Sequence, residues 1–149
     1  DDGSVHMHTV KHLLERKSAD IISITPEESV RAAIRQMAER GVGALLVMRG
    51  RELLGVISER DYARKVVLKG RSSQDTYVVD IMSSPPITVG PTDTVHRCMQ
   101  IMTDERIRHL PVMREGLVIG ILSIGDLVKA VIDEQREEIE QLQRYIAGN

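Results

Sequence analysis

Two heptapeptides decide how this chain is read: Gly55-Val56-Ile57-Ser58-Glu59-Arg60-Asp61 and Gly120-Ile121-Leu122-Ser123-Ile124-Gly125-Asp126. Both carry glycine, two apolar residues and then Ser-x-x-Asp, and the second follows the first by 65 positions. Extended outward without a gap, the same shift lays Ile22, Pro26, Val30, Met37, Leu45, Val47, Met48, Arg49, Ser58, Asp61 and Val66 on identical residues. The partners are Ile87, Pro91, Val95, Met102, Leu110, Val112, Met113, Arg114, Ser123, Asp126 and Val131. Self-similarity of that density at a fixed shift marks an internal duplication.

Each copy shows one order of signals. A short apolar run (Ile21–Ile24; Ile87–Val89) stops near a proline, as a strand entering a turn does. Ser29 and Thr94 stand at helix N-cap positions. Val30, Ala33, Ile34 and Met37, and again Val95, Cys98, Met99 and Met102, then recur at helical spacing. Two apolar runs follow in each copy, Ala44–Met48 with Leu53–Ile57 and Leu110–Met113 with Leu117–Leu122, joined by turns of hairpin length. Ser58 and Ser123 open a second helix. The expected order is strand, helix, strand, strand, helix, an α/β architecture. The polar stretch Lys69–Asp75 separates the copies. The boundaries expected are an N-terminal segment with a run-in helix (1–20), repeat 1 (21–68), a linker with a second run-in helix (69–85), repeat 2 (86–132) and a helical extension (133–149). From the end of repeat 2 into the extension, Val128, Ile132, Gln135, Ile139, Leu142 and Ile146 alternate four and three apart. That spacing suits a coiled-coil seam or a face packed on the protein's own body.

Composition narrows the function. A net charge of -2 and an aromatic content of 2% leave neither the basic excess nor the stacking platforms of a nucleic-acid binder. No apolar run approaches the length of a membrane span, and residues 1–8 lack the apolar stretch of a signal peptide. The lone Cys98 forms no disulfide framework and lies on an apolar helix face, so a reducing, cytoplasmic setting is expected. With no Phe or Trp, Met37, Met48, Met99, Met102 and Met113 are expected to fill core gaps. His6, His8 and His12 have no second ligand cluster, and no metal site is expected.

Ser-x-x-Asp ahead of an apolar run is, by spacing alone, a capping box: the serine accepts from the aspartate's amide and the aspartate from the serine's. The same geometry sets a carboxylate at a helix N-terminus, where it can accept the hydroxyls of a ribose. Ser58, His109 and Asp61 hold the residue types of a hydrolase triad. However, no nucleophile elbow surrounds Ser58, and Asp61 follows at capping distance, so no catalytic residue is expected.

The repeated motif, the run-in Val79-Asp80-Ile81-Met82-Ser83 and the segment Arg108-His109-Leu110-Pro111-Val112 together resemble the CBS-domain family, across roughly residues 9 to 133. Two such units resemble a Bateman module. The resemblance implies a pseudo-two-fold module with two clefts that take AMP, ADP, ATP, NAD-type dinucleotides or S-adenosylmethionine as regulatory ligands, with no cofactor required. It assigns the Asp to the ribose and the Ser to the phosphate side, and it crosses the repeats. One site would collect Ser58, Arg60 and Asp61 with Thr88, Arg108, His109 and Pro111. The other would collect Ser123 and Asp126 with Ser23, Val42, Gly43 and Ala44. The first has two arginines and a histidine for a phosphate. The second has no comparable base, Gly125 where the first has Arg60, and Leu46 where Pro111 stands. The C-terminal seam and the family's habit of pairing imply a homodimer, and an unidentified effector protein is a further expected partner. The rival expectations are a scaffold with vestigial clefts and a nucleotide-processing enzyme.

Overall fold

The computed structural model describes residues 8–17 and 21–148; His6 lies outside them. Helix α1 (Val10–Arg16) precedes β1 (Ser23–Ile24), α2 (Val30–Arg40), β2 (Ala44–Arg49), β3 (Glu52–Ser58) and α3 (Glu59–Tyr62). A π-helical turn, Ala63–Val67, continues α3. Helix α4 (Val78–Ile81) leads to α5 (Val95–Glu105), β4 (His109–Arg114), β5 (Leu117–Ser123) and α6 (Ile124–Ile146).

The helix starts follow the sequence signals. Ser29 Oγ accepts from the Ala32 amide and Thr94 Oγ1 from the Arg97 amide, satisfying donors that the first helical turn leaves open. Val30, Ala33 and Met37 are buried, as are Val95, Cys98 and Met102, so each apolar stripe faces a core. Burial of a side chain of this size contributes ~1.5–3 kcal/mol, far more than helix propensity alone.

The two sheets differ where identical strands were expected. In repeat 1 the sheet order is β1-β2-β3, with β1 parallel to β2 and β2 antiparallel to β3. In repeat 2 only β4 and β5 form a sheet, and the expected strand Ile87–Val89 contracts to a single parallel bridge, Val89 to Val112. The cause is Pro111. Its counterpart Leu46 donates its amide to Ile22 O at 3.1 Å, and proline has no amide to give. What survives are the bonds on either side: Val89 N to Pro111 O at 3.1 Å and Met113 N to Val89 O at 2.8 Å.

The chain gathers into two compact units, each with its own core. One combines α1 with Thr88–Glu115 and the chain from Ile119 onward; the other runs from β1 to Ile87 and takes in Gly116–Val118. Each repeat is therefore completed by the other's run-in helix. Val10 and Leu13 of α1 join the core of Val95, Leu110, Val112, Leu122 and Leu127. Val78 and Ile81 of α4 join that of Val30, Leu45, Val47 and Ile57. The docking bonds repeat as well: Val10 N to Asp93 O (2.9 Å) and Lys11 N to Pro91 O (3.0 Å) answer Val78 N to Glu28 O (2.9 Å) and Val79 N to Pro26 O (3.0 Å). Close approach of the run-in segments explains the two motif glycines. A Cβ on Gly120 would meet Leu14 Cδ2 at 2.8 Å, and one on Gly55 would meet the Ser83 main-chain oxygen at 2.6 Å.

Helix α6 runs for 23 residues, and its inner face is anchored by Leu127, Ala130 and Glu134. The Glu134 carboxylate accepts from the His8 amide at 3.4 Å and lies 3.0 Å from His96 Nε2. The other stripe, Val128, Ile132, Ile139, Leu142 and Ile146, is exposed, rising from 43% at Val128 to 73% at Ile146. In the single chain this stripe is not packed on the protein's own body.

Candidate functional site

One unit holds the candidate residues Ser23, Val42, Gly43, Ala44, Ser58, Arg60 and Asp61; Gly43 and Ala44 meet Ser58 and Glu59 where β2 begins beside the end of β3, and Ser23 lies on the far side of β2. Ser58 caps α3 and the full capping box forms. Ser58 Oγ accepts from the Asp61 amide at 3.2 Å, and Asp61 Oδ2 accepts from the Ser58 amide at 2.9 Å. The Glu59 amide is taken by Gly43 O at 3.0 Å. Two donors that an anion would use at this helix start are thus satisfied internally. What the site presents is a carboxylate, not an open ring of amides. Asp61 is only 8% exposed; its second oxygen accepts from Ser83 Oγ at 3.3 Å and lies 3.1 Å from Lys65 Nζ. Lys65 also donates to Ile81 O at 2.8 Å.

The other unit holds Thr88, Arg108, His109, Pro111, Ser123 and Asp126, with Arg108 and His109 beside the start of α6. The same capping box forms, with Asp126 N to Ser123 Oγ at 3.2 Å and Ser123 N to Asp126 Oδ2 at 2.8 Å. The Ile124 amide donates to Arg108 O at 2.9 Å, matching Glu59 and Gly43. The difference is the cation. Lys17, which follows α1, donates to Asp126 Oδ2 at 2.6 Å and to Ile121 O at 2.8 Å. The second carboxylate therefore has a cation of its own, although Gly125 still stands where the first motif has Arg60. The base arrives from a segment 109 positions away, and no local spacing signals it. Burial alone would raise the Asp126 carboxyl, but the bonds from Lys17 and Ser123 outweigh it and hold it below the usual carboxylate range.

His109 opens β4 and is half-buried. Burial lowers it below the ordinary histidine range; Lys17 and Arg108 push the same way, and Asp126 opposes them. A histidine kept neutral can accept or donate a hydrogen bond without adding charge. Thr88 and Arg108 are exposed, whereas Pro111 is buried within β4. The residues that the resemblance divided between two crossed sites are thus distributed so that Ser58, Arg60 and Asp61 lie in one unit and Thr88, Arg108, His109 and Pro111 in the other. Cys98 is a core residue: burial first and Asp93 second push its thiol up to about 11, which keeps it protonated and unreactive. Among the described residues no group of three or more His, Cys, Asp or Glu side chains is arranged to hold a metal ion. Nor is any described helix long and apolar enough to cross a membrane.

A duplicated α/β unit with a capped Ser-x-x-Asp at each second helix defines a tandem-repeat module. The CBS domain family model matches residues 10–68 and 78–133, and the chain belongs to the CBS-domain family. It is 48% identical over 139 residues to the Arabidopsis thaliana CBS domain-containing protein CBSX3, mitochondrial, covering 89% of this chain and 68% of that one. A putative signal-transduction protein with CBS domains from Burkholderia ambifaria superposes with a TM-score of 0.82 at 48% identity, over 85% of this chain and 96% of that one. A CBS domain protein from Pyrobaculum aerophilum, solved in complex with AMP, superposes with a TM-score of 0.70 at 30% identity, over 79% and 88%.

Proposed function

We propose that this chain is a regulatory module that binds an adenine nucleotide, AMP, ADP, ATP or an NAD-type dinucleotide, and catalyses no reaction. The observation that carries the reading is the pair of preorganised carboxylates, Asp61 and Asp126, each held by a capping box at the same place in its repeat. A carboxylate held at a fixed place by its cap offers paired ribose hydroxyls an acceptor whose position is already set, once its present side-chain partners give way. Asp61 with Ser58 and Arg60, and Arg108 with His109, are the residues assigned to the ligand. Thr88, Pro111, Ser23, Val42, Gly43 and Ala44 complete the contacts of the two sites. The AMP complex of the Pyrobaculum aerophilum relative supports the choice of ligand class. Ser58 spends its hydroxyl on the cap and on Asp61 Oδ2 at 3.1 Å, an arrangement that supports a binding role over a nucleophile. A cytoplasmic or other reducing compartment suits the single buried thiol.

Thermal unfolding tests the reading. An adenine nucleotide at one hundred times its dissociation constant stabilises the folded state by ~2.7 kcal/mol, so the melting temperature rises. Guanine and pyrimidine nucleotides raise it less. An unchanged melting temperature with AMP, ADP, ATP, NAD and S-adenosylmethionine at millimolar concentration refutes the proposal and favours a scaffold role.

The exposed stripe of α6 supports a homodimer as the form that signals to an effector protein. Ile132, Ile139 and Ile146 alternate with Val128, Gln135 and Leu142 at the spacing of a two-stranded seam. Light scattering is expected to report a dimer at micromolar concentration, and truncation after Asp133 to weaken it. A monomer throughout overturns this assignment, and a dimer unaffected by truncation moves the contact into the repeats.

A further inference from the structure

The two site carboxylates receive their second partner in different ways. In the unit built on repeat 1 the run-in chain turns extended after α4, and its backbone pairs with β3. Ser83 N donates to Val56 O at 2.8 Å, and Ser83 Oγ reaches Asp61. In the unit built on repeat 2 the helix α1 persists through Arg16, and one side chain does both jobs. Lys17 Nζ takes Ile121 O, the counterpart of Val56 O, and the Asp126 carboxylate. Lys65, the cation beside Asp61, belongs to the helical stretch four residues along, so it moves with its carboxylate. Lys17 comes from a separate segment, so its place on Asp126 is not fixed by the helix that carries the carboxylate. It lines a cleft of about 300 Å³ between α1 and α6 with Arg16, Lys129 and Asp133, which leaves room for the ammonium, although the Asp133 carboxylate there already lies 3.9 Å from Arg16 Nη1.

We infer that Lys17 is an internal competitor for Asp126: it holds Oδ2 of the carboxylate whose two oxygens would clamp a ribose, so that this site accepts phosphate-bearing ribosyl ligands and rejects uncharged ones. The inference rests on the nucleotide-binding reading above and concerns which ligands the second carboxylate admits. A hydroxyl pair that displaces Lys17 must break a charge-assisted bond of 2.6 Å. If the same ligand carries a phosphate, the displaced ammonium gains an anionic partner; a neutral nucleoside offers none.

The test is calorimetric titration of the full chain with ADP and with adenosine, in the wild type and in Lys17→Met. The neutral side chain is expected to strengthen adenosine binding by roughly tenfold or more while ADP gains less, so that the preference for ADP over adenosine narrows. Adding Asp126→Asn to Lys17→Met should abolish the gain. A ligand-free readout runs beside it: because Lys17 helps to hold His109 low, Lys17→Met should move the His109 titration upward in NMR spectra of the nucleotide-free protein. A stationary His109 shows that Lys17 is not seated on this site and overturns the inference. So does an adenosine affinity unchanged in Lys17→Met when wild-type protein binds ADP, and in that case the nucleotide reading stands. If neither variant nor wild type binds any adenine ligand, the reading and the inference fall together.

Discussion

Replacing Asp61 with alanine is expected to weaken adenine-nucleotide binding by tenfold or more, and more than Asp126→Ala does. Asp61 is the more rigidly held of the two, 8% exposed, with one oxygen on the cap and the other between Ser83 and Lys65. Asp126 already carries Lys17 on the oxygen that accepts the cap. Arg60 precedes Asp61 where Gly125 precedes Asp126, so a phosphate-bearing ligand has a guanidinium beside the first carboxylate only. Each charge-assisted bond to a hydroxyl contributes ~1.5–3 kcal/mol, so losing a bidentate clamp removes at least one such increment. The substitution also strips the N-cap partner, ~1 kcal/mol, and leaves Lys65 without its carboxylate. Asp61→Asn separates the two effects, because the amide oxygen can still accept from the Ser58 amide while the negative charge is gone. Titration of Asp61→Ala, Asp61→Asn and Asp126→Ala, with melting curves of each, checks the order. Full affinity in Asp61→Ala, or its loss only in Asp126→Ala, places the principal site at the other carboxylate.

Gly55→Ala is expected to destabilise the fold by ~1–3 kcal/mol, the range for forced overpacking. For a chain of this length that lowers the melting temperature by roughly 3–10 °C. The added methyl would stand 2.6 Å from the Ser83 oxygen and 3.1 Å from Met82 Sδ. Ser83 cannot retreat cheaply, since its oxygen accepts from Val56 N at 3.1 Å and its amide donates to Val56 O at 2.8 Å. Gly120→Ala is the matched control. There the nearest atom is a Leu14 methyl at 2.8 Å, at the end of a side chain that can rotate away. Denaturant melts of the two variants are expected to show a distinctly larger loss for Gly55→Ala. Equal losses would mean that the β3 pairing with Ser83 contributes little.

What the sequence determined by itself is the repeated unit. Periodicity is a local property, so the duplication, the apolar stripes of α2 and α5, the caps at Ser29, Thr94, Ser58 and Ser123, and the candidate carboxylates were all legible before any coordinate. One part of the sheet difference was legible too, because a proline cannot donate whatever surrounds it. Pro111 stands where the first repeat has Leu46, and the strand at Val89 shortens to a single bridge. Three things belong to the tertiary structure alone. The exchange of run-in helices depends on which core has room for Val10 and Leu13 or for Val78 and Ile81, and packing of that kind leaves no trace in spacing. The outward face of α6 depends on what its opposite face finds to pack against, here Glu134 between His8 and His96, so its heptad pattern could not choose between seam and core. The ion pair of Lys17 with Asp126 joins residues far apart in the chain, and only folding, by closing that loop, sets the ammonium on the carboxylate.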